Sequence, residues 1–252
     1  MKNMLKVVDV LKSNNRDHKV LLESIIKDKK IQELDYVLST SEEKKYLNLK
    51  SRIDNGEPIE YILNIAYFRN QIFYVNNNVL IPRKETETII PYLSLYKSVL
   101  DLGCGSGTVG ITLKREYINI NVTMSDISTN AIKIAHKNLG NLKIPIIQSD
   151  LLLNIDVSKF DCIFANLPYI DINKKDKIAK SVYMYEPHIA LFTEAKGLYL
   201  INKLIKDLNE NKFVGTLFLE LDPWQIKYID KDKEIIQDQF GQNRFIKIEY
   251  IQ

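Results

Sequence analysis

Two stretches hold the residues whose types and spacing can do chemistry. One is Phe164-Ala165-Asn166-Leu167-Pro168-Tyr169, and the other is a glycine-rich turn about sixty residues upstream, Asp101-Leu102-Gly103-Cys104-Gly105-Ser106-Gly107. A planar NH2 group is a poor nucleophile because its lone pair is delocalised. Two acceptors aimed at its two protons fix the nitrogen and favour the geometry in which the lone pair meets an electrophile. The Asn166 side-chain oxygen and the Leu167 carbonyl can be those acceptors. Pro168 has a fixed φ and pushes Leu167 toward extended backbone, which aims that carbonyl, while Tyr169 offers a flat face to a planar group. No general base is needed, since the nitrogen can lose its proton to water after transfer.

The glycine turn follows the apolar run Val99-Leu100-Asp101-Leu102, which reads as a buried parallel strand. Apolar residues Val109, Ile111 and Leu113 then continue into a helix. Strand, glycine turn and helix make the first half of a nucleotide-binding βαβ unit, and the absent side chains let a ligand approach the helix N-terminus. Counted from Gly105, the turn also satisfies G-x-G-x-x-G, a pattern that any tight strand-to-helix turn produces easily. A second run, Ile120 to Met124, ends in Ser125-Asp126, and an acid there can accept from both ribose hydroxyls of an adenosine. NAD and S-adenosylmethionine both carry that ribose. The Asn-Leu-Pro-Tyr loop decides for the second, because a dehydrogenase leaves it without a job.

These elements must be positioned by a scaffold. From residue 98 onward strands alternate with helices: strands near 98–102, 120–125, 144–148, 161–165 and 215–221, and helices near 106–117, 128–139 and 195–209. Two further strands, 234–238 and 244–250, flank a turn at Gly241. Alternation predicts a parallel sheet with helices on both faces, and the final hairpin adds an antiparallel strand. Ser149-Asp150-Leu151 follows the third strand, where Asp150 can accept from an adenine amino group and Leu151 can cover the ring.

Residues 1 to about 55 carry helical periodicity, with stripes at Leu5, Val8 and Leu11, at Leu21, Leu22, Ile25 and Ile26, and at Tyr46, Leu49 and Ile53. Thr40-Ser41-Glu42-Glu43 spells a capping box for the last of these helices. Residues 57–82 are aromatic-rich and alternating, with Asn76-Asn77-Asn78 as a turn signal, so a β-hairpin is expected there. Phe68 and the segment 82–87 are expected at the cofactor entrance.

The chain resembles the protein-(glutamine-N5) methyltransferases that modify peptide-chain release factors. The resemblance rests on Gly56-Glu57-Pro58-Ile59-Glu60-Tyr61-Ile62, Leu80-Ile81-Pro82-Arg83-Lys84-Glu85-Thr86-Glu87, the glycine turn, Asn166 to Ile170, Tyr185-Glu186-Pro187-His188, Gly197-Leu198 and Phe240-Gly241-Gln242-Asn243-Arg244. It departs at Leu167, where the family usually has proline, and at Asp222, where it tends to have glycine. The resemblance implies a Rossmann-like class I methyltransferase sheet of about seven strands within an α/β fold. The domains then expected are a helical substrate-docking domain at 1–55, a linker with the hairpin at 56–88 and a catalytic domain at 89–252. It implies S-adenosyl-L-methionine as cofactor, held by Gly103, Cys104, Gly105, Ser106, Gly107, Asp126, Leu151 and Asn166. Asn166, Leu167, Pro168 and Tyr169 would hold the substrate glutamine and carry the catalysis. Two other readings stay open: methylation of an adenine amino group in rRNA or tRNA, and a non-catalytic cofactor-binding protein.

Composition sets the outer bounds. The chain has 252 residues, 45% of them hydrophobic and 27% charged, with a formal net charge of +3. That charge is too small to argue for nucleic acid, where a clustered basic stripe is expected. Two cysteines, Cys104 and Cys162, cannot form a disulfide framework and suit a reducing compartment. His18, His136 and His188 lack ligand spacing, so no metal site is expected. The expectation is a cytoplasmic monomer with a release factor as protein partner, no membrane segment and no requirement for nucleic acid.

Overall fold

A computed structural model of the chain describes residues 5–12, 15–26 and 33–251. It resolves into two compact units: one from residues 1–64 together with Lys180–Tyr185, the other from Ile65–Ala179 and Glu186–Gln252.

The first unit is helical: α1 (Val7–Leu11), α2 (Arg16–Ile26), α3 (Thr40–Asp54) and the short α4 (Ile59–Leu63). Leu21, Leu22 and Ile26 of α2 and Tyr46 of α3 are buried in one cluster, with Ile25, Leu49 and Ile53 packed at its edge. In α1 the buried pair is Val7 and Val10, whereas the expected stripe of Leu5, Val8 and Leu11 lies to either side. A five-residue helix is too short for periodicity to fix its face. The cap of α3 also sits one residue earlier than its spelling suggested. Ser39 accepts from the Glu42 N–H, and the Glu42 carboxylate accepts from the Ser39 N–H at 2.8 Å, so the box is Ser39 to Glu42.

The second unit opens with the antiparallel hairpin β1 (Ile65–Phe68) and β2 (Gln71–Tyr74). Its turn is Arg69-Asn70, both in the left-handed region, not Asn76-Asn77-Asn78. The asparagine run instead forms a local turn in which the Asn78 N–H donates to Asn76 Oδ1 at 3.0 Å, and it leads into the buried Val79.

After α5 (Ile90–Leu93) come β3 (Ser98–Leu102), α6 (Thr108–Glu116), β4 (Asn121–Asp126), α7 (Thr129–Leu139), β5 (Ile146–Gln148) and β6 (Cys162–Ala165). A two-residue parallel pair, β7 (Ile170–Asp171) and β8 (Phe192–Thr193), brackets α8 (Lys180–Tyr185), which is counted with the first unit. The turn α9 (Glu194–Gly197), α10 (Tyr199–Glu210), β9 (Gly215–Glu220), β10 (Glu234–Gln237) and β11 (Asn243–Tyr250) complete the chain.

The main sheet has seven strands in the order β10-β11-β9-β6-β3-β4-β5, parallel except for β11, which is antiparallel to both its neighbours. This is the Rossmann-like α/β sheet that the alternation and the resemblance implied. Successive strand residues enter opposite cores, as the two-residue period of a pleated strand requires. Leu100, Ile163, Leu217 and Leu219 join a cluster with Ile201, Leu204 and Leu208 of α10. Val99, Cys162, Phe164 and Phe218 join another with α5, α6, α7 and the hairpin residues Phe68 and Phe73. Among the described residues no helix is long and apolar enough to cross a membrane, and no cluster of three metal-ligating side chains occurs.

Candidate active site

The chain winds outward from β3 in one direction through β4 and β5 and in the other through β6 and β9. The strand order therefore reverses between β3 and β6, the point at which open α/β sheets bind ligands beyond their carboxyl ends. Leu102 of β3 pairs with Ala165 of β6, so the next residues, Gly103 and Asn166, leave the sheet side by side. A Cβ on Gly103 would come within 3.3 Å of Leu167 Cδ2 and 3.7 Å of the Asn166 carbonyl oxygen. The two motifs singled out in the sequence thus meet over one cavity of about 600 Å3.

Gly103, Cys104, Gly105, Ser106, Asp126, Leu151, Asn166, Leu167 and Pro168 all line that cavity. Gly107 does not. Its left-handed φ of 80° turns the chain into α6, and its Cα packs where a side chain would strike Ile111, Ala135 and Met124. Tyr169 is also absent from the wall. Its ring packs at the edge of the α10-side core, and its carbonyl accepts from Gln225 Nε2 at 2.8 Å. Burial, reinforced by the neighbouring Glu220, pushes its phenol above the usual range.

The glycine turn is held by main-chain bonds. The Gly103 and Cys104 N–H groups donate to the Ser125 carbonyl at 2.9 and 2.8 Å, and Gly107 N–H donates to the Cys104 carbonyl at 2.8 Å. Asp126 accepts from Gly105 N–H through one oxygen and from Ser128 N–H through the other, both at 2.8 Å. A carboxylate has about four acceptor positions, so capacity remains for hydroxyls in the cavity. Burial nonetheless raises its pKa. A buried asparagine ties the turn to the hairpin: Asn138 Nδ2 donates to the Ser106 and Tyr74 carbonyls, both at 2.9 Å, and its Oδ1 accepts from Tyr74 N–H at 2.7 Å. Cys104 is buried and its thiol is pushed well above its ordinary value by burial and by the neighbouring Asp101 and Asp126, which rules against a nucleophile.

The residues fit an adenosine-type cofactor on the structure's own terms. A Cβ on Gly105 would meet nothing within 4 Å, so an open approach to the backbone exists beside an acid aimed at the same space. Leu151 sits buried in the wall with a left-handed φ of 48°, a strained conformation for a leucine and one that surrounding structure must enforce. Asp150 lies in the wall beside it.

The Asn-Leu-Pro-Tyr side of the cavity is held by distant parts of the chain. Leu167 is buried in the α10-side core, so packing anchors the position that lacks a proline ring. Gln225 is fully buried; besides its bond to Tyr169 it donates to the Lys196 carbonyl at 3.1 Å, and its Oε1 accepts from Asp222 N–H at 3.0 Å. Asp222 caps the short helix Pro223–Tyr228 that carries Gln225, which gives the family departure at this position a structural role. Gly197, with φ of 81°, passes so close to the Tyr169 carbonyl that no side chain fits between them.

Of the expected entrance, Phe68, Pro82, Arg83 and Thr86 line the cavity, whereas Lys84, Glu85 and Glu87 do not. Arg83 Nη2 donates to Glu186 Oε1 at 2.6 Å, joining the Leu-Ile-Pro-Arg and Tyr-Glu-Pro-His segments, which the sequence could only place far apart. Two site groups, Asp101 and Glu220, escaped sequence reasoning. Asp101 lines the cavity and accepts from Gly110 N–H at 2.8 Å, with its carboxyl pushed to about 7 by burial. Thr86 Oγ1 donates to Glu220 Oε2 at 2.7 Å, and burial lifts Glu220 to about 7. The only signal for Glu220 was an acid ending the apolar run Leu217-Phe218-Leu219.

Residues 84–189 match the family model described as the methyltransferase small domain. Curated relatives named release factor glutamine methyltransferase include one from Leptospira interrogans, 35% identical with 91% of this chain and 89% of the relative covered. Another, from Borreliella burgdorferi, is 35% identical over 89% of this chain and 84% of its own length, and one from Lactococcus lactis is 35% identical over 83% and 84%. Among solved structures, the catalytic domain of hMettl16 bound to the MAT2A 3′UTR hairpin 6 aligns with a TM-score of 0.54 at 12% identity, covering 82% of this chain and 92% of that one. That last likeness is one of fold. With a methyltransferase sheet, the two motifs joined at its switch point and relatives at this identity over nearly the whole chain, the protein belongs to the release factor glutamine methyltransferase family.

Proposed function

We propose that this protein transfers a methyl group from S-adenosyl-L-methionine to the side-chain amide nitrogen of a glutamine in a peptide-chain release factor. The observation that carries the reading is the meeting of Asn166-Leu167-Pro168 with the glycine turn and Asp126 around one cavity. Gly103 to Ser106, Asp126 and Leu151 hold the cofactor, which supplies an electrophilic methyl group. Asn166 Oδ1 and the Leu167 carbonyl accept the two N–H groups of the substrate amide and keep its nitrogen facing that methyl group. Tyr169, whose ring lies behind the wall, shapes the loop through its carbonyl bond to Gln225.

A glutamine carried on a folded protein needs recognition beyond a pocket, and we assign that docking to the helical unit. The reading includes a monomeric enzyme in the cytoplasm that requires no nucleic acid. Incubation of the protein with labelled cofactor and either unmethylated release factor or RNA tests it. Label should enter the release factor as N5-methylglutamine; label in RNA alone would instead assign the same clamp to an adenine amino group.

A further inference from the structure

Glu220 ends β9 next to the residue that ends β6. Ala165 pairs with Leu219, so Asn166 and Glu220 follow as lateral neighbours, although 54 positions separate them. The Glu220 carboxylate is 2% exposed. Thr86 donates to it from the cavity wall at 2.7 Å, and Asn166, its lateral neighbour across the paired strand ends, favours its ionised form. A carboxamide has nearly the same shape either way round, so its partners alone decide whether it shows oxygen or NH2 to a ligand.

We propose that Glu220 is the positioning residue that sets the face of the Asn166 amide: the ionised carboxylate takes the Asn166 NH2 group and leaves the Asn166 oxygen to receive a substrate N–H. This rests on the clamp assigned above. An ionised carboxylate only accepts, so it selects the productive orientation. A protonated one can donate, which rewards the opposite orientation and sets NH2 against NH2 across the cavity.

Burial places the changeover near neutrality, at about 7. The groups that face Glu220 come from several elements. Thr86 and Asn166 stabilise the ionised form by hydrogen bonding, Arg244 of β11 does so by charge, and Glu85 opposes it. Tyr169, from the Asn166 loop, feels the same carboxylate.

The test uses the intact enzyme with unmethylated release factor and labelled cofactor from pH 5.5 to 9. Wild-type kcat/KM should fall about tenfold per pH unit below about 7, as one essential ionisation requires. The affinity of the S-adenosylhomocysteine-loaded enzyme for release factor should weaken over the same range. Glu220→Gln should lose about 30-fold or more in kcat/KM at pH 8 and lack the acid limb, with S-adenosylhomocysteine affinity within about threefold of wild type. Thr86→Val removes one donor to the ionised form and should move the limb to higher pH. If Glu220→Gln fails to fold, the shift in Thr86→Val decides alone. A Glu220→Gln enzyme with near wild-type turnover and an intact acid limb, or an unmoved limb in Thr86→Val, overturns the proposal. Wild-type enzyme inert toward release factor at every pH overturns the assigned activity, and this proposal with it.

Discussion

The two halves of the cavity are built by different means. The half we assign to the cofactor is local: Gly103, Cys104 and Gly107 are tied within the turn and to the adjacent strand, and Asp126 reaches only the neighbouring backbone. The half we assign to the substrate is tertiary. Asn166 to Tyr169 borrows its shape from Leu167 burial and from Gln225 and Gly197. A phosphate- or ribose-type ligand is the same in every enzyme that binds it, and local backbone suffices. A sluggish amide nitrogen needs acceptors fixed in direction, which only packing from several elements provides.

That contrast can be broken at its strongest point by Asn166→Ala. Loss of one acceptor aimed at the reacting group should lower kcat about 10²- to 10³-fold, with S-adenosylhomocysteine affinity unchanged by calorimetry. Retained turnover would remove Asn166 from the clamp. The mirror experiment is Asp126→Ala, expected to weaken cofactor binding about 10- to 100-fold, the usual range for hydrogen bonds to a charged group, while kcat at saturating cofactor changes far less. A matching fall in kcat would show that the halves are not separable.

A smaller effect should follow from Gln225→Leu, which deletes the donor to Tyr169 and Lys196 but touches no ligand. We expect about a tenfold drop in kcat with cofactor affinity intact, read from steady-state kinetics and calorimetry side by side. Equal losses in both would mean that the substrate half also supports the glycine turn.

The smallest expected effect is on stability. Glu220 has a folded pKa of about 7, above its unfolded value, so between roughly pH 4.5 and 7 the folded state binds the proton that the unfolded state has lost. Stability contributed by this group therefore falls as pH rises through that window, and the cost is fully present above it. Glu220→Gln should gain in Tm relative to wild type between pH 5 and 8, by several °C for a contribution on the order of 1–3 kcal/mol. A difference independent of pH would place the proton elsewhere.

Sequence made the local half legible. The glycines, Asp126, the strands β3, β4, β6 and β9 and the helices α6 and α7 all follow from short-range pattern, and each lies within a few residues of its expected place. The substrate half was legible only as a motif. Glu220 lies beside Asn166 because β6 and β9 pair, and nothing near either residue announces that pairing. The hairpin turn was misplaced for a related reason. Three consecutive asparagines outweigh Arg69-Asn70 as a turn signal, yet the register Phe68 to Gln71 leaves only those two residues to adopt positive φ. Val7 and Val10 replaced the expected stripe because one turn and a half of helix takes its orientation from its partners.

The Asn138 side chain has a mechanical consequence. By gripping Tyr74 on β2 and Ser106 in the turn at once, it ties the hairpin to the glycine-rich rim of the cavity. Tyr67 and Ile72 stand opposite each other on the outer surface of that hairpin, largely in solvent. Removing the Asn138 amide would free the hairpin strand and the glycine turn in one stroke, since the three hydrogen bonds to Tyr74 and Ser106 pass through that single side chain.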